Sequence, residues 1–266
     1  MPAATDMPNA RPLLLRLLLA VEGGVLDAAA AIRAAALFGI SANSLRVALT
    51  RLSASGRIEA VGRGSYRLGH AARALGEDVA TWRDAEQRLR PWHGEWIVAC
   101  VAGLSRSDRR ALRTRERAFA LLGMRALDEA LFIRPDNLAG GVARVRARLH
   151  ALGVERSVPV FLAHDLDSAS ETRARALWQV RDLERGYRAG RKALETSLKR
   201  LPRLSLEQAA RESYLVGDQA LRRLVFDPLL PAPLISGDAR QAFVEAMLRY
   251  DATGQRIWRE LLALPG

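Results

Sequence analysis

The sequence predicts an α+β protein that is mostly helical, with an N-terminal winged helix-turn-helix, a ferredoxin-like middle domain and a helical C-terminal domain. A basic helical pattern comes directly before a hairpin pattern with a Gly-Arg-Gly tip at residues 62–64. Strand and helix patterns then alternate through the middle of the chain, and strand patterns end near residue 170. We therefore expect four segments: a winged domain at 11–70, a linker helix at 71–91, the middle domain at 92–169 and the C-terminal domain at 170–266.

The composition favours an anionic partner. The formal net charge is +12 over 266 residues, which suits nucleic acid, phosphates or a membrane surface. Lys192 and Lys199 are the only lysines among 41 basic residues, a bias typical of a GC-rich genome, so the placement of each arginine decides its meaning. An apolar fraction of 49% is enough for a packed core. The single cysteine, Cys100, excludes an internal disulfide and suits a reducing cytosol.

The N-terminal segment contains three helix patterns and one hairpin pattern. The apolar run at 11–21 is interrupted by Arg16 and is too short to cross a bilayer, so we expect a core helix there and no membrane association. Asp27 is placed to cap a second helix that Gly39 ends, and Gly56 stops a third. The predicted helices cover 13–21, 27–38 and 41–55, the last capped by Ser41 or Asn43, and the hairpin strands cover 57–61 and 65–68.

Pro91 marks the start of the middle domain, where three apolar strand patterns alternate with two helix patterns. Ser105, with Asp108 three residues later, resembles a capping box at the start of the first helix. This alternation fits a compact α+β domain, of which a ferredoxin-like sheet is the simplest form. The strands are predicted at 95–103, 130–135 and 157–166, and the helices at 105–122 and 140–152.

The C-terminal segment is predicted to be helical. Five apolar residues recur at helical spacing and mark one long helix: Leu183, Tyr187, Leu194, Leu198 and Leu201. Two further helix patterns follow at 205–226 and 238–262. The apolar surface of these helices either forms a dimer interface or closes the core of a single chain, and the sequence leaves both open.

The helix at 41–55 has two contrasting faces. At about 100° per residue, four apolar residues fall on one side: Leu45, Ala48, Leu49 and Leu52. The opposite side is small and polar at its centre, with Arg46 and Arg51 at its margins. Such a face fits a DNA major groove, because asparagine can pair with adenine and a valine or threonine methyl can touch thymine. The flanking arginines can reach phosphate or guanine.

The hairpin that follows is predicted to be a wing. Arg63 stands between two glycines, which tolerate positive φ and let the backbone approach DNA closely. Upstream, Ala35 and Gly39 stand where a helix-turn-helix needs a small residue and a turn glycine. Because helix, turn and wing occur in order, we predict binding to double-stranded DNA. The predicted DNA-binding residues are Asn43, Ser44, Arg46, Val47, Thr50, Arg51 and Arg63, with Ser65, Tyr66 and Arg67 adding backbone contacts to phosphate.

Three stretches together resemble the PaaX family of bacterial transcription regulators, named for repressors of phenylacetate degradation. The first is "SANSLRVALTRLSASGRIEAVGRGSYRL", similar to the winged helix of that family. The second is "WHGEWIVACV" followed by "RRALRTRERAFALLGMRALDEALFIRP", and the third is "ALWQVRDLERGYRAG". Their order and spacing carry the resemblance, which covers most of the chain.

The resemblance implies a cytoplasmic bacterial homodimer without a cofactor that represses transcription until an aryl-CoA thioester, typically phenylacetyl-CoA, releases it from DNA. Two recognition helices about 34 Å apart would require an inverted-repeat operator. Arginines of the helix at 105–117 are candidates for holding CoA phosphates, and aromatic side chains for lining an aryl pocket. A solvated helix face and core aromatics are the competing interpretations. The effector candidates are Arg109, Arg113, Arg134, Trp178 and Tyr187.

The sequence carries no signal for catalysis or for a metal site. It has no P-loop, no Gly-x-Ser-x-Gly and no Gly-x-Gly-x-x-Gly. A metal site drawn from His164, Asp165 and Asp167 lacks a second ligand cluster, so a strand end followed by a helix cap is the better interpretation. We therefore expect a regulator of aromatic or acyl-CoA catabolism genes and no enzyme. The alternative is a winged-helix module that binds protein or RNA without a small-molecule effector.

Overall fold

The computed structural model describes residues 8–70, 82–105 and 107–263. Within them the protein is α+β and mostly helical, with two small antiparallel sheets, as predicted. The helices α1–α9 are Ala10–Ala20, Ala28–Ala36, Ala42–Ala54, Arg109–Leu121, Gly141–Ala151, Ser168–Ala176, Val180–Arg200, Leu206–Val225 and Asp238–Ala263. The strands β1–β7 are Val25–Asp27, Ile58–Gly62, Ser65–Leu68, Trp96–Cys100, Arg125–Ala126, Leu131–Pro135 and Val160–Ala163.

The predicted linker helix at 71–91 lies partly outside the described residues, which resume at Trp82. Its described part does not continue a helix. Glu86–Arg88 form one short 3-10 turn, and Leu89 then pairs as extended backbone with Leu138. The prediction is therefore wrong for this part, because a partner elsewhere in the chain takes up the backbone groups that a helix would have paired internally.

The chain groups into two compact units. The first contains the described residues up to Trp82, then 190–221 and 244–263, and the second contains 83–189 and 222–243. Helices α7, α8 and α9 each contribute residues to both units. The C-terminal segment at 170–266 is thus shared between them, and its separation as a domain of its own stays a prediction.

In the first unit, α1, α2 and α3 pack with a three-stranded antiparallel sheet of order β1-β3-β2. The side chains at the centre of this core are at most 2% exposed, and they include Leu13, Ala35, Leu45 and Ile58. Asp27 caps α2 as predicted, since its carboxylate accepts hydrogen bonds from Ala29 N at 2.8 Å and Ala30 N at 3.1 Å.

The same core extends into the C-terminal helices of the first unit. Phe38, at the end of α2, lies between Tyr214 of α8 and Trp258 of α9, with ring centroids 5.0 and 6.4 Å away. Arg16 of α1 also reaches α8, where it pairs with Asp218 at 2.7 Å. Helix α1 and the turn after α2 are therefore supported by residues roughly 180 to 220 positions later in the chain.

In the second unit, the chain order is β4-α4-β5-β6-α5-β7 and the sheet order is β5-β6-β4-β7, with every neighbouring pair antiparallel. One face of the sheet packs against both helices. Ile97 and Ala99 of β4 lie in one cluster with Phe119 of α4 and with Val145 and Leu149 of α5.

Helix α4 begins one turn later than predicted. Asp108 is its cap and accepts hydrogen bonds from Arg110 N at 2.8 Å and Ala111 N at 3.1 Å. Ser105, the predicted cap, instead has its hydroxyl 2.8 Å from that of Ser107. Aspartate is a better acceptor at this position because its charge also suits the positive end of the helix dipole.

The apolar stripe of the long helix α7 faces the protein's own interior. Tyr187, Leu194 and Leu201 are buried, and Leu183 and Leu198 are half-buried. These residues, with Leu201 just after the end of α7, thus contribute to the core of a single chain, and the homodimer stays a prediction. Among the described residues, the helices include none whose length and apolar content would allow it to cross a membrane.

Candidate nucleic-acid interface

Helix α3 is fixed by the packing of its apolar face and by a cap at its N-terminus. Ser41 caps it, accepting a hydrogen bond from Ser44 N at 3.2 Å. Before it, Gly39 turns the chain at φ +70°, and Ile40 N donates to Ala35 O at 3.1 Å. The predicted inner face is confirmed, since its four apolar residues are at most 4% exposed: Leu45, Ala48, Leu49 and Leu52.

The outer face of α3 is exposed along its length. Asn43, Arg46, Val47, Thr50 and Arg51 all lie on it. Val47 is 41% exposed, so its methyl groups are available for an apolar contact. The Thr50 hydroxyl donates to the backbone carbonyl of Arg46 at 3.1 Å, so its methyl group is the part left for an apolar contact.

The two arginines of this face are not neutralised by the protein. Within the described part of the chain, the guanidinium groups of Arg46 and Arg51 have neither a hydrogen-bond acceptor nor an ion-pair partner. Ser44, by contrast, is engaged locally, because its hydroxyl accepts a hydrogen bond from the Ser41 hydroxyl at 2.9 Å. The surface therefore has free cations at its margins and small groups between them.

The hairpin of β2 and β3 ends at an exposed arginine. A register irregularity between Ala60 and Gly62 places Val61 as an extra residue, which leaves it 44% exposed. Arg63 follows at the tip, and Gly64 turns the chain at φ +78°. Gly64 O accepts a hydrogen bond from Ala28 N at 2.8 Å, which ties the tip to the start of α2.

The predicted backbone contacts of Ser65, Tyr66 and Arg67 to phosphate are not available. These residues form β3, the middle strand of the sheet, which pairs with β1 on one side and β2 on the other. Their backbone N–H and C=O groups are taken up by these two ladders. The predicted elements included the hairpin alone and not β1, which pairs with the second side of β3 and occupies the backbone groups expected to reach phosphate.

The side chain of Arg67 is also engaged. Its guanidinium lies 3.0–3.1 Å from the carboxylate of Glu59, its cross-strand partner. Sequence reasoning missed this pair, although Glu59 is the only acid between residues 41 and 68. The pair follows from the register of β2 against β3, but that register depends on the extra residue Val61, which the sequence does not indicate. Tyr66 is half-buried against the core of the first unit.

Three of the five effector candidates are parts of the protein interior. Arg134 is 1% exposed, and its guanidinium donates to Leu122 O, to Pro135 O at 3.1 Å and to Asn137 Oδ1 at 3.0 Å. Burial lowers the pKa of Arg134 to about 10. The buried guanidinium is thus engaged through all three of its nitrogens by acceptors of the protein itself, which does not suit a ligand for CoA phosphate.

The two aromatic candidates are likewise core residues. Trp178 stacks on Trp96 with ring centroids 6.1 Å apart and donates to Gly123 O at 3.2 Å. Tyr187 packs on Phe243 at 6.2 Å, and its hydroxyl donates to the buried carboxylate of Asp227. Burial raises the pKa of Tyr187. Both rings are at most 4% exposed, which favours the core interpretation of these aromatics.

Arg109 and Arg113 lie on the exposed surface of α4. At 1.5 Å per residue, Arg113 is roughly 13 Å along the helix axis from Leu122, the carbonyl that Arg134 binds. The structure therefore does not gather the five predicted residues into one arginine-lined cleft with aromatic walls.

A cavity of about 400 Å³ does lie beside α4, but its charge is of the wrong sign for CoA. Apolar side chains such as Leu112, Phe119 and Phe132 form its wall. Its charged lining residues are Arg115, Glu116, Asp128 and Glu129. Three carboxylates against one arginine repel phosphate.

Metal ligands do not gather in the described part of the chain, where no group of three or more His, Cys, Asp or Glu could hold an ion. His164 and Asp165 form an exposed pair, with Nδ1 and Oδ2 2.7 Å apart. Asp167 caps α6, accepting from Ala169 N at 3.0 Å and Ser170 N at 2.9 Å.

A scan against protein-family models finds no match, and a search of curated proteins finds none. Among solved structures, the chain is similar to an uncharacterized protein of Mycobacterium tuberculosis, Rv0674, with 26% sequence identity and a TM-score of 0.61. The alignment covers 96% of this chain and 99% of that one. The likeness thus extends over nearly the whole chain, and because that protein is itself uncharacterized, it concerns the fold and no activity.

Proposed function

We propose that this protein is a DNA-binding transcription regulator whose helix α3 enters the major groove and whose hairpin is a wing beside it. The order α1-β1-α2-α3-β2-β3, with a glycine turn between α2 and α3, supports a winged helix-turn-helix. The sheet order β5-β6-β4-β7 supports a ferredoxin-like second domain.

One observation carries the proposal. The inner face of α3 is buried in the core, while its outer face carries two arginines that have no partner among the described residues, beside Asn43, Val47 and Thr50. An arginine on each flank of the exposed face suits a polyanion. Asparagine, a methyl group and arginine are also the groups that read adenine, thymine and guanine in the major groove.

Two substitutions test the proposal through different mechanisms. Arg46→Ala should cost roughly 1–3 kcal/mol on the preferred duplex if Arg46 reads a base. Arg63→Ala should weaken binding to all duplexes and reduce the slope of log K against log salt by about 0.9, since it removes one phosphate contact. Arg188→Ala is the matched control, because that arginine is paired with Glu184 on α7.

The measurement is fluorescence anisotropy over a range of salt, on duplexes selected from a random pool. A double variant, Arg46→Ala with Arg63→Ala, that binds as tightly as the parent at moderate salt would contradict the proposal. Preferential binding to RNA, or to neither nucleic acid, would favour the interaction-module alternative.

The family resemblance extends the proposal to a homodimeric repressor released by an acyl-CoA thioester. The five effector residues named from the sequence do not form its site, so a ligand would have to bind elsewhere. Calorimetry with a panel of aryl- and acyl-CoA esters, on the free protein and on its DNA complex, tests this extension. A ligand that releases DNA must prefer the free form, and equal affinity for both forms would rule out this mechanism.

A further inference from the structure

Helix α4 carries a stripe of exposed arginines on one side. Arg109, Arg113 and Arg117 are spaced four residues apart, and Arg110 lies beside them. At about 100° per residue these four positions fall within an arc of about 100°. The opposite side of the helix, with Arg115, Ala118 and Phe119, is buried, so the stripe points away from the core of the second unit.

Within the described part of the chain, the guanidinium groups of this stripe are only weakly compensated, through the electrostatic attraction between the Asp108 carboxylate and Arg110. Among the described residues, none of the four makes a hydrogen bond or an ion pair through its side chain. Like charges at i and i+4 destabilise a helix, and cations in the first turn oppose the helix dipole. Arg109 and Arg110 occupy that first turn. The arrangement is therefore unfavourable for the protein alone.

Helix α7 shows that the chain compensates arginines elsewhere. On that helix Arg185 pairs with Asp182, Arg188 with Glu184 at 3.0 Å, and Arg191 with Glu195 at 2.7 Å. A general excess of arginine thus does not explain the stripe. An arginine-rich composition would add charge to both helices, but the ion pairs that α7 forms have no counterpart among the four stripe arginines within the described residues.

We propose that this stripe is a second nucleic-acid contact, which binds the sugar-phosphate backbone of duplex DNA; the inference rests on the proposed DNA-binding function. Three positions at about 6 Å intervals span about 12 Å. This length matches three to four phosphates of one strand, at about 3.4 Å of axis each. Arginine forms bidentate hydrogen bonds with phosphate, and such contacts are independent of sequence.

A polymeric anion fits the stripe better than a small one. The four side chains are on a convex, open helix surface, whereas the cavity beside the same helix is lined by Glu116, Asp128 and Glu129. The stripe arginines could bind the phosphates of a CoA molecule, but the cavity beside them is lined by carboxylates and does not suit the rest of that ligand. A DNA strand needs only a row of cations.

The test is a triple variant, Arg109→Gln with Arg113→Gln and Arg117→Gln, in the full chain. Its matched control is Arg185→Gln with Arg188→Gln and Arg191→Gln, which removes the same charge from α7. On a long duplex, the stripe variant should lower the slope of log K against log salt by about 2.7, and affinity should fall by about tenfold or more at moderate salt. The control should change the slope by less than one.

Thermal unfolding supplies an independent readout. Because the stripe is self-repulsive, the triple variant should be at least as heat-stable as the parent, so a loss of binding would not come from misfolding. The single variant Arg113→Gln removes one phosphate contact and should lower the slope of log K against log salt by about 0.9.

Other outcomes distinguish a failure of the stripe inference from a failure of the proposed DNA-binding function. If the stripe variant and the control have equal slopes while Arg46→Ala and Arg63→Ala still weaken binding, the stripe inference is wrong and the proposed function stands. If the parent binds no duplex, both fail. If inorganic triphosphate binds the parent saturably, binds the stripe variant more weakly and leaves DNA binding unaffected, the stripe is a small-anion site and this inference is overturned.

Discussion

Replacing Arg134 by methionine should destabilise the second unit strongly. Arg134 lies at the centre of a buried network, and Asn137, one of its acceptors, in turn donates to Leu229 O at 2.7 Å. Methionine has a similar length but no donors, so Leu122 O and Asn137 Oδ1 would be left buried without a partner. Each orphaned acceptor costs about 1–3 kcal/mol. We therefore expect a loss of about 4 kcal/mol, or about a thousandfold in the folding equilibrium.

The matched control is Arg113→Met, which makes the same chemical change at an exposed position without a partner. It should alter the free energy of unfolding by less than about 0.5 kcal/mol. Urea unfolding followed by tryptophan fluorescence measures both variants, because Trp178 donates to Gly123 O, next to Leu122, and reports on this region.

A loss below about 1 kcal/mol for Arg134→Met would refute the reasoning, since no buried acceptor could then have been orphaned. If that variant were stable but bound a CoA ester more weakly than the parent, Arg134 would be a ligand residue after all.

Two further predictions concern packing and pH. Gly123→Ala should lower the free energy of unfolding by about 2–5 kcal/mol, because φ is +66° and a Cβ would lie 2.5 Å from Pro228 Cα. Gly39→Ala should lower it by only about 1–2 kcal/mol, because φ is +70° but a Cβ would meet open space. Equal losses for the two variants in urea unfolding would contradict this prediction. Burial raises the pKa of Tyr250 to about 12 from a usual value near 10. Between pH 10 and 12 the native state therefore keeps the hydroxyl proton that the unfolded state loses, and the free energy of unfolding should fall by about 2–3 kcal/mol over this range. Tyr250→Phe should remove that part of the decline, and an unchanged pH dependence would show that another group causes it.

Local chemistry made helix α3 predictable. The two faces of α3, the cap at Ser41 and the turn at Gly39 depend on residues within a few positions of one another, and all three are confirmed. The same holds for Asp27, whose carboxylate binds backbone two and three residues later.

Features that depend on distant partners were not predictable. β1 has three residues, too few for an alternating pattern, and its strand character comes from pairing with β3 about forty residues later. The burial of Arg134 was equally hidden, because arginine is mostly a surface residue and one of its acceptors, Leu122 O, lies twelve residues earlier in the chain. Trp178 and Tyr187 were ambiguous between pocket and core until their packing partners were known.

Because β3 pairs on both sides, the length of the hairpin strands is constrained, whereas the length of the hairpin tip is not. An insertion or deletion within β3 would shift its register against both β1 and β2 and would turn Tyr66 away from the core. The tip is different, since a side chain at Gly62 would meet open space and Gly64 is anchored independently by Ala28. Extra residues at Arg63 would therefore lengthen the reach of the hairpin without disturbing its base. Over evolutionary time, related chains should vary in length at this one point of the hairpin and keep the rest constant.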